Sequence, residues 1–279
     1  MNSLSILDLV NRQQHAHYRM ISKFENGVQG AFTIQDDTGK EFVLKWADKP
    51  ELTARIGEAL RYTELLHSQG YPLPRYVHIG SALNGRYSVQ EKLPGSLCDP
   101  KELPKLLPRI LELNELQRGK AVPGGSWPEP IVQAVLQGGT EFCRHEPLLQ
   151  HSSATAELLD LLKRTASAYE QYEYAANDIV HFDFHHQNLL VQEGELSGVV
   201  DWQFPLAGDR TFDLLTLMLY TEPDSEVWNR LWEVSRQRIG RGTASIYLSY
   251  LLLRQANWCI DHWPAWLDHW YKVAKKVLT

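Results

Sequence analysis

The chain has 279 residues, of which 43% are hydrophobic and 22% are charged, a composition typical of an ordinary globular protein. The formal net charge of −6 excludes a predominantly basic surface, so we expect no nucleic-acid partner. Three widely separated cysteines, Cys98, Cys143 and Cys259, form neither a metal motif nor a disulfide framework, as is typical of a reducing compartment.

The first eighteen residues are too polar for a signal peptide. The longest later apolar stretch, residues 246–253, is far shorter than the roughly 20 residues that a membrane span needs. We therefore expect a cytoplasmic protein with no membrane partner.

The N-terminal third of the chain has mainly strand character. Alternating apolar residues predict strands over 18–23, 31–35, 41–46, 75–79 and 86–92, and helical periodicity predicts one helix over 51–69. Asp36-Asp37-Thr38-Gly39 is a hairpin-turn sequence between the second and third strands. These elements predict a small antiparallel sheet with one helix, in a lobe that covers residues 1–92.

Helical patterns dominate the remainder of the chain. Predicted helices cover residues 104–118 and 153–174, a Gly- and Pro-rich loop covers 122–130, and the chain from residue 212 onward is mostly helical. Two short apolar strands, 189–191 and 198–200, form a hairpin. The expected fold class is therefore α+β, with a larger, mainly helical lobe over residues 93–279.

Polar side chains with complementary chemistry surround this hairpin. Asp183 and Asn188 precede its first strand, and Asp201 directly follows its second strand. Phosphoryl transfer needs a carboxylate that orients and deprotonates the attacking hydroxyl, a role that suits Asp183. It also needs oxygen ligands for Mg²⁺, which suits Asn188 and Asp201.

The spacing His181-x-Asp183-x-x-x-x-Asn188, followed by Asp201, resembles the catalytic loop and metal-binding aspartate of the protein-kinase-like superfamily. The longer run, with Trp202 after Asp201 and then Gly208-Asp209 and Asp213, is similar to the aminoglycoside phosphotransferase and choline kinase branch. The resemblance covers most of the chain. It implies a bilobal kinase-like fold that uses ATP or GTP with Mg²⁺.

The same resemblance implies a nucleotide site in the N-terminal lobe. It implies that Lys45 contacts the phosphates and that a glutamate of the following helix holds this lysine, with Glu58 preferred over Glu64 and Glu51. It also implies a phosphate loop and an adenine-binding connector, for which the matching residues are Asn26, Gly27, Gly30, Gln90 and Lys92. The loop residues equally fit an ordinary hairpin turn. His181, Asp209 and Asp213 are expected to be structural, with Asp209 and Asp213 capping the next helix and bracing the catalytic loop.

Features of regulated protein kinases are missing from the sequence. Phe182 stands where those enzymes carry arginine, and Trp202-Gln203 stands where they carry Phe-Gly. The acceptor is therefore expected to be a small molecule. In the family the late helices form the acceptor pocket, and here Trp258 and Asp261, together with Trp202, offer aromatic faces and a carboxylate suited to a cationic group.

The sequence thus predicts a small-molecule O-phosphotransferase acting on an amine-bearing hydroxyl compound, such as an aminoglycoside or a peptide antibiotic. The nearest rival is a metabolic kinase for choline, homoserine or a sugar, which would share every catalytic residue. A further rival is an inactive nucleotide-binding module. Either a monomer or a homodimer is compatible with the sequence.

Overall fold

A computed structural model describes residues 3–24, 31–47, 50–82, 85–121, 127–203 and 205–279. For residues 3–4, 47, 50–58 and 82 it describes the backbone only. The chain divides into two compact units, residues 1–99 with 187–205 and residues 100–186 with 206–279. We call them unit one and unit two.

Unit one contains a five-stranded antiparallel sheet in the order β1-β2-β3-β5-β4. Its elements are α1 (Ser3–Gln14), β1 (Arg19–Lys23), β2 (Ala31–Gln35), β3 (Glu41–Ala47), α2 (Pro50–His67), β4 (Tyr76–Ala82), β5 (Gly85–Glu91) and β6 (Ser96–Leu97). Helix α1, which the sequence analysis did not predict, packs Ile6, Leu7 and Val10 against buried strand residues. The small antiparallel sheet is as expected.

The predicted turn between β2 and β3 is confirmed. The Asp36 carboxylate accepts hydrogen bonds from the backbone N–H groups of Thr38, at 2.9 Å, and Lys40, at 3.0 Å. Gly39 has a φ of +88°, a left-handed conformation that glycine adopts without steric cost. This turn aligns β2 with β3, so that Ala31 lies opposite Lys45.

Unit one also includes the predicted hairpin, β8 (Leu189–Gln192) and β9 (Glu195–Val199). Strand β6 pairs with β8, and the Val199 N–H donates to the Pro72 carbonyl at 2.7 Å. The predicted division at residue 92 therefore differs from the compact units, because pairing between distant segments returns residues 187–205 to unit one.

Unit two is mainly helical. Its elements are α3 (Leu103–Leu116), α4 (Glu129–Gln137), α5 (Glu146–His151), α6 (Ser153–Ala166), β7 (Asp178–Val180), β10 (Leu206–Gly208), α7 (Thr211–Leu219), α8 (Glu226–His262) and α9 (Leu267–Leu278). Strand β7 pairs antiparallel with β10. Ser152 begins α6 with a capping box that includes Thr155. This helix ends eight residues before the predicted limit, and a 3-10 turn follows at Tyr169–Gln171.

Helix α8 is broken at Gly240, where φ is +74°. The residues that follow, from Thr243 to Leu253, are buried, whereas the segment before the break alternates between buried and exposed positions. Among the described residues, no helix has the combination of length and apolar character that crossing a membrane requires.

Candidate active site

Strand β3 and the end of the β8–β9 hairpin bring Lys45 and Asp201 together in unit one. The Lys45 Nζ lies 2.8 Å from the Asp201 Oδ1, although the two residues are 156 positions apart in the chain. The lysine side chain is 17% exposed and the aspartate side chain is 41% exposed. Because the Asp201 carboxylate is accessible to solvent, a ligand or a metal ion can reach it.

Asn188 and Asp201 are positioned by the same hairpin. Asn188 immediately precedes β8, and its backbone carbonyl accepts a hydrogen bond from the N–H of Val200 at 2.9 Å. Asp201 then follows with a φ of +68°, an uncommon conformation for a residue other than glycine and one that is often found at functional sites. The backbone hydrogen bond places the two residues at the same end of the hairpin.

This pair of residues fits a magnesium ion. A carboxylate and an amide supply oxygen ligands, and Mg²⁺ commonly takes only one or two carboxylates and completes its shell with water and phosphate oxygens. Within the described part of the chain, no group of three or more His, Cys, Asp or Glu side chains is placed to hold a metal.

Trp202 anchors the segment that carries Asp201. Its side chain is 2% exposed, its Nε1 donates to the Val199 carbonyl at 3.1 Å, and its ring meets Tyr71 edge-on at 5.4 Å. The Tyr76 hydroxyl donates to the Trp202 carbonyl at 3.2 Å. Burial, with a smaller contribution from Asp201, raises the pKa of Tyr76, so this donor stays protonated. The observed role of Trp202 is packing, and its predicted contact with the acceptor remains untested.

The structure describes only some of the other residues that are predicted to bind the nucleotide. Asn26, Gly27, Gly30 and the side chain of Glu58 lie outside the described residues. Gln90 is buried in β5, opposite Val43 and Tyr76 of the two neighbouring strands. Lys92, the first residue beyond β5, pairs with Glu41 at 2.6 Å. Their roles in nucleotide binding remain predictions.

In unit two, basic side chains influence the Asp183 carboxylate. The His185 Nε2 is 3.6 Å from the Asp183 Oδ2, and the His185 ring lies 4.7 Å from the ring of Tyr220. Burial alone would raise the pKa of Asp183, but His185, followed by Arg254 and His181, lowers it below the usual value. Asp183 is therefore a carboxylate at neutral pH, able to accept a hydrogen bond from a hydroxyl.

The backbone before Asp183 is held by Asp213. The two Asp213 oxygens accept the N–H groups of His181, at 2.8 Å, and Phe182, at 2.9 Å, and Gln117 donates to the same carboxylate at 2.7 Å. Phe182 has a φ of +74°, which is strained for a bulky residue, and its ring stacks on Phe212 at 5.2 Å. The prediction that Asp213 braces this loop is confirmed, as is the capping of α7 by Asp209, which accepts the Thr211 N–H at 2.9 Å.

We expect Asp213→Asn to change how stability depends on pH. Burial raises the pKa of Asp213 to about 7, so the folded chain holds a proton that the unfolded chain releases above the ordinary aspartate pKa of 3.8. The stability that this proton contributes is complete below about pH 4 and is lost as the pH rises towards about 7. The Asp213→Asn variant has no carboxyl group at this position, so its stability lacks this dependence on pH.

Urea unfolding at a series of pH values will test this expectation. The difference in unfolding free energy between wild type and Asp213→Asn should narrow as the pH rises from about 4 to about 7. A difference that widens over this range would mean that the three N–H donors hold Asp213 as an anion, contrary to the expectation.

The two residues proposed to contact the acceptor lie near the end of α8. Trp258 is half-buried and stacks on His262 at 5.0 Å, and the exposed Trp263 meets it edge-on at 5.1 Å. Asp261 is exposed but pairs with Arg144 at 3.3 Å. Any cationic group that used the Asp261 carboxylate would therefore share it with Arg144.

Sequence reasoning missed Arg254 and Tyr220. Arg254 lies on α8 with its guanidinium over the Phe182 ring, and the Tyr220 hydroxyl accepts a hydrogen bond from Gln255 at 2.6 Å. Neither residue belongs to a local motif. Only the packing of α7 and α8 brings them near Asp183.

Comparisons with known proteins agree with this geometry. The family model for APH, the phosphotransferase enzyme family, matches residues 21–247. A thermostable mutant of aminoglycoside phosphotransferase APH(4)-Ia, in ternary complex with AMP-PNP and hygromycin B, is 17% identical over 99% of this chain and 98% of that chain, with a TM-score of 0.71. Amicoumacin kinase hAmiN, in complex with AMP-PNP, Ca²⁺ and Ami, is 13% identical over 99% of this chain and 94% of that chain, with a TM-score of 0.68.

A third solved structure, LicA in complex with AMP, is 16% identical over 100% of this chain and 99% of that chain, with a TM-score of 0.66. None of the curated proteins matches the chain.

A small antiparallel sheet with a half-buried lysine, and a helical unit that carries the His-x-Asp loop, define a small-molecule phosphotransferase of the protein-kinase-like fold. The chain belongs to the phosphotransferase enzyme family whose model covers residues 21–247. The predicted family, fold and class of enzyme are thereby confirmed.

Proposed function

We propose that this protein transfers the terminal phosphoryl group of ATP or GTP to a hydroxyl of a small, amine-bearing molecule such as an aminoglycoside or a peptide antibiotic. The observation that carries the proposal is the 2.8 Å ion pair between Lys45 and Asp201 at the hairpin end that also holds Asn188. A lysine, a carboxylate and an amide are the groups that bind a metal–triphosphate complex.

Each residue has a distinct proposed role. Lys45 contacts the nucleotide phosphates, and Asn188 and Asp201 hold Mg²⁺, which neutralises charge on the phosphate oxygens. Asp183 accepts the proton of the attacking hydroxyl, because it is ionised at neutral pH. Glu58, Asn26, Gly27, Gly30, Gln90 and Lys92 are proposed to complete the nucleotide site.

Two observations support an antibiotic acceptor. The structurally similar proteins include an aminoglycoside phosphotransferase and an amicoumacin kinase. Near the end of α8, the rings of Trp258 and Trp263 meet edge-on at 5.1 Å and Asp261 lies three residues after Trp258. Aromatic rings together with a carboxylate suit an ammonium group.

An ADP- and GDP-release screen will test the proposal. We expect turnover with at least one member of a panel of aminoglycosides, cyclic peptide antibiotics, choline-like amines, homoserine and sugars. Mass spectrometry should show that the product has gained one phosphate. Turnover only with choline, homoserine or a sugar would favour a metabolic kinase. Nucleotide binding without turnover on any member would favour an inactive nucleotide-binding module and contradict the proposal.

A further inference from the structure

Arg254 places a positive charge beside the proposed catalytic loop. Its guanidinium carbon lies 5.4 Å from the centroid of the Phe182 ring and 5.9 Å from that of Tyr250. Phe182 directly precedes Asp183, and Tyr250 lies one helical turn before Arg254 on α8. The side chain is half-buried. A cation thus lies against the residue that precedes the proposed base.

The other half-buried arginines that the structure describes in unit two have hydrogen-bonding acceptors. Arg210 pairs with Asp178 and with Glu115, each at 3.0 Å. Arg238 donates to Asn114 at 2.6 Å and also pairs with Glu115. These contacts compensate for the removal of guanidinium groups from water.

Arg254 differs from them, since it has no hydrogen bond and no ion pair with any of the residues that the structure describes. A guanidinium presents five N–H donors in a planar fork that matches carboxylate and phosphate oxygens. Ring contacts stabilise the positive charge, while the guanidinium nitrogens of Arg254 remain accessible to solvent and so to a ligand. A half-buried arginine in this state is ready to bind an anionic ligand.

The electrostatic surroundings favour such a ligand. Burial raises the pKa values of Cys143 and Tyr220, so both neighbours are uncharged at neutral pH. The Asp183 carboxylate attracts Arg254 electrostatically, although the two form no ion pair.

We propose that Arg254 binds an anionic oxygen group that is brought next to Asp183 during the reaction. This inference rests on the proposed phosphoryl transfer. In that reaction the acceptor oxygen forms a bond to phosphorus, the bond from phosphorus to the nucleoside diphosphate breaks, and the hydroxyl proton passes to Asp183. Negative charge is spread over the three oxygens of the group in transfer. Those oxygens, or a carboxylate on the acceptor, are the two possible sources of the bound anion.

Kinetics of three variants will test the inference. Arg254→Met keeps an unbranched apolar side chain against Phe182 and Tyr250 but removes the charge, and Arg254→Lys keeps the charge but loses the fork. Arg236→Met is the matched control, because Arg236 lies on the same helix with its guanidinium 5.7 Å over the ring of Trp232, but is exposed. Circular dichroism and thermal unfolding will establish that each variant is folded.

We expect Arg254→Met to reduce kcat/KM by roughly 10- to 100-fold, with partial recovery in Arg254→Lys and no change in Arg236→Met. If the anion is the group in transfer, kcat will fall both for the acceptor and for nucleotide hydrolysis by water. If the anion is an acceptor carboxylate, KM will rise only for acceptors that carry one, and hydrolysis will be unchanged. Equal kinetics in Arg254→Met and Arg236→Met would overturn the inference.

A binding measurement separates this inference from the proposed function. Inorganic phosphate will be titrated into the full chain labelled with ¹⁵N-arginine, and the Arg254 Nε signal will be identified by its loss in Arg254→Lys. A saturable shift of this signal in a protein that phosphorylates no acceptor would contradict the proposed function while still showing that Arg254 binds an anion. If the Arg254 signal does not shift in a protein that does transfer phosphate, and Arg254→Met leaves the kinetics unchanged, the inference is excluded. The proposed function would still stand.

Discussion

Replacing Asp183 by alanine is expected to lower turnover by roughly 10²-fold or more while leaving nucleotide binding nearly unchanged. The physical reason is that Asp183 is held as a carboxylate: His185, 3.6 Å away, and then Arg254 lower its pKa despite partial burial. Without this acceptor the attacking hydroxyl loses both its orientation and the group that takes its proton. The site in unit one, which holds Lys45 and Asp201, is untouched.

The measurement is kcat with a productive acceptor, alongside the dissociation constant for the nucleotide by calorimetry. Asp183→Asn should also be impaired, because it keeps a hydrogen-bond acceptor but cannot take the proton. Asp160→Ala is a suitable control, since Asp160 is an exposed aspartate of the same unit that pairs with Arg164 on the surface of α6. Near-normal turnover in Asp183→Ala would refute the role assigned to Asp183.

Breaking the Lys45–Asp201 pair should have the second large effect. We expect Lys45→Met and Asp201→Asn each to lower kcat/KM by about 10² to 10³-fold, because each removes one charge that stabilises the phosphates or the metal. Asp201→Asn should in addition require more Mg²⁺ to reach half-maximal activity, since a neutral amide is a weaker ligand than a carboxylate. Lys45→Met should leave the Mg²⁺ requirement closer to that of wild type.

A double-mutant cycle tests whether the two residues act as a unit. Because Lys45 and Asp201 are in direct contact at 2.8 Å, the double variant should be less impaired than the product of the two single effects predicts. Lys40→Met is the control, because Lys40 lies at the start of the same strand with its ammonium 5.2 Å from the ring of Phe42. Fully multiplicative losses would show that the ion pair has no part in catalysis.

The sequence was informative wherever the signal is local. The Asp36–Gly39 turn, the strand order along the chain and the β8–β9 hairpin were predicted, because turn chemistry and alternating burial depend on neighbouring residues. The predicted helix over residues 153–174 was too long, because the tyrosine-rich segment after Ala166 keeps helical spacing while forming only a 3-10 turn.

Contacts between distant segments were harder to predict. The sequence offered Glu58 as the partner of Lys45, and this stays a prediction because the Glu58 side chain lies outside the described residues. The contact that the structure describes for Lys45 is with Asp201, which the β8–β9 hairpin returns to unit one. The bracing of Phe182 by Asp213 was anticipated from the resemblance to kinases, but the participation of Gln117 was not. Such contacts depend on how strands and helices pack, which no local pattern encodes.

The sequence by itself determined the chemistry of this protein, because the spacing of Asp183, Asn188 and Asp201 around a hairpin is a local property of the chain. Only the tertiary structure decided which charges are compensated and which are not. It pairs Lys45 with Asp201 and Arg210 with Asp178, and it sets Arg254 against two aromatic rings beside Asp183. The reason is that the energy of a charge depends on its burial and on neighbours from distant parts of the chain.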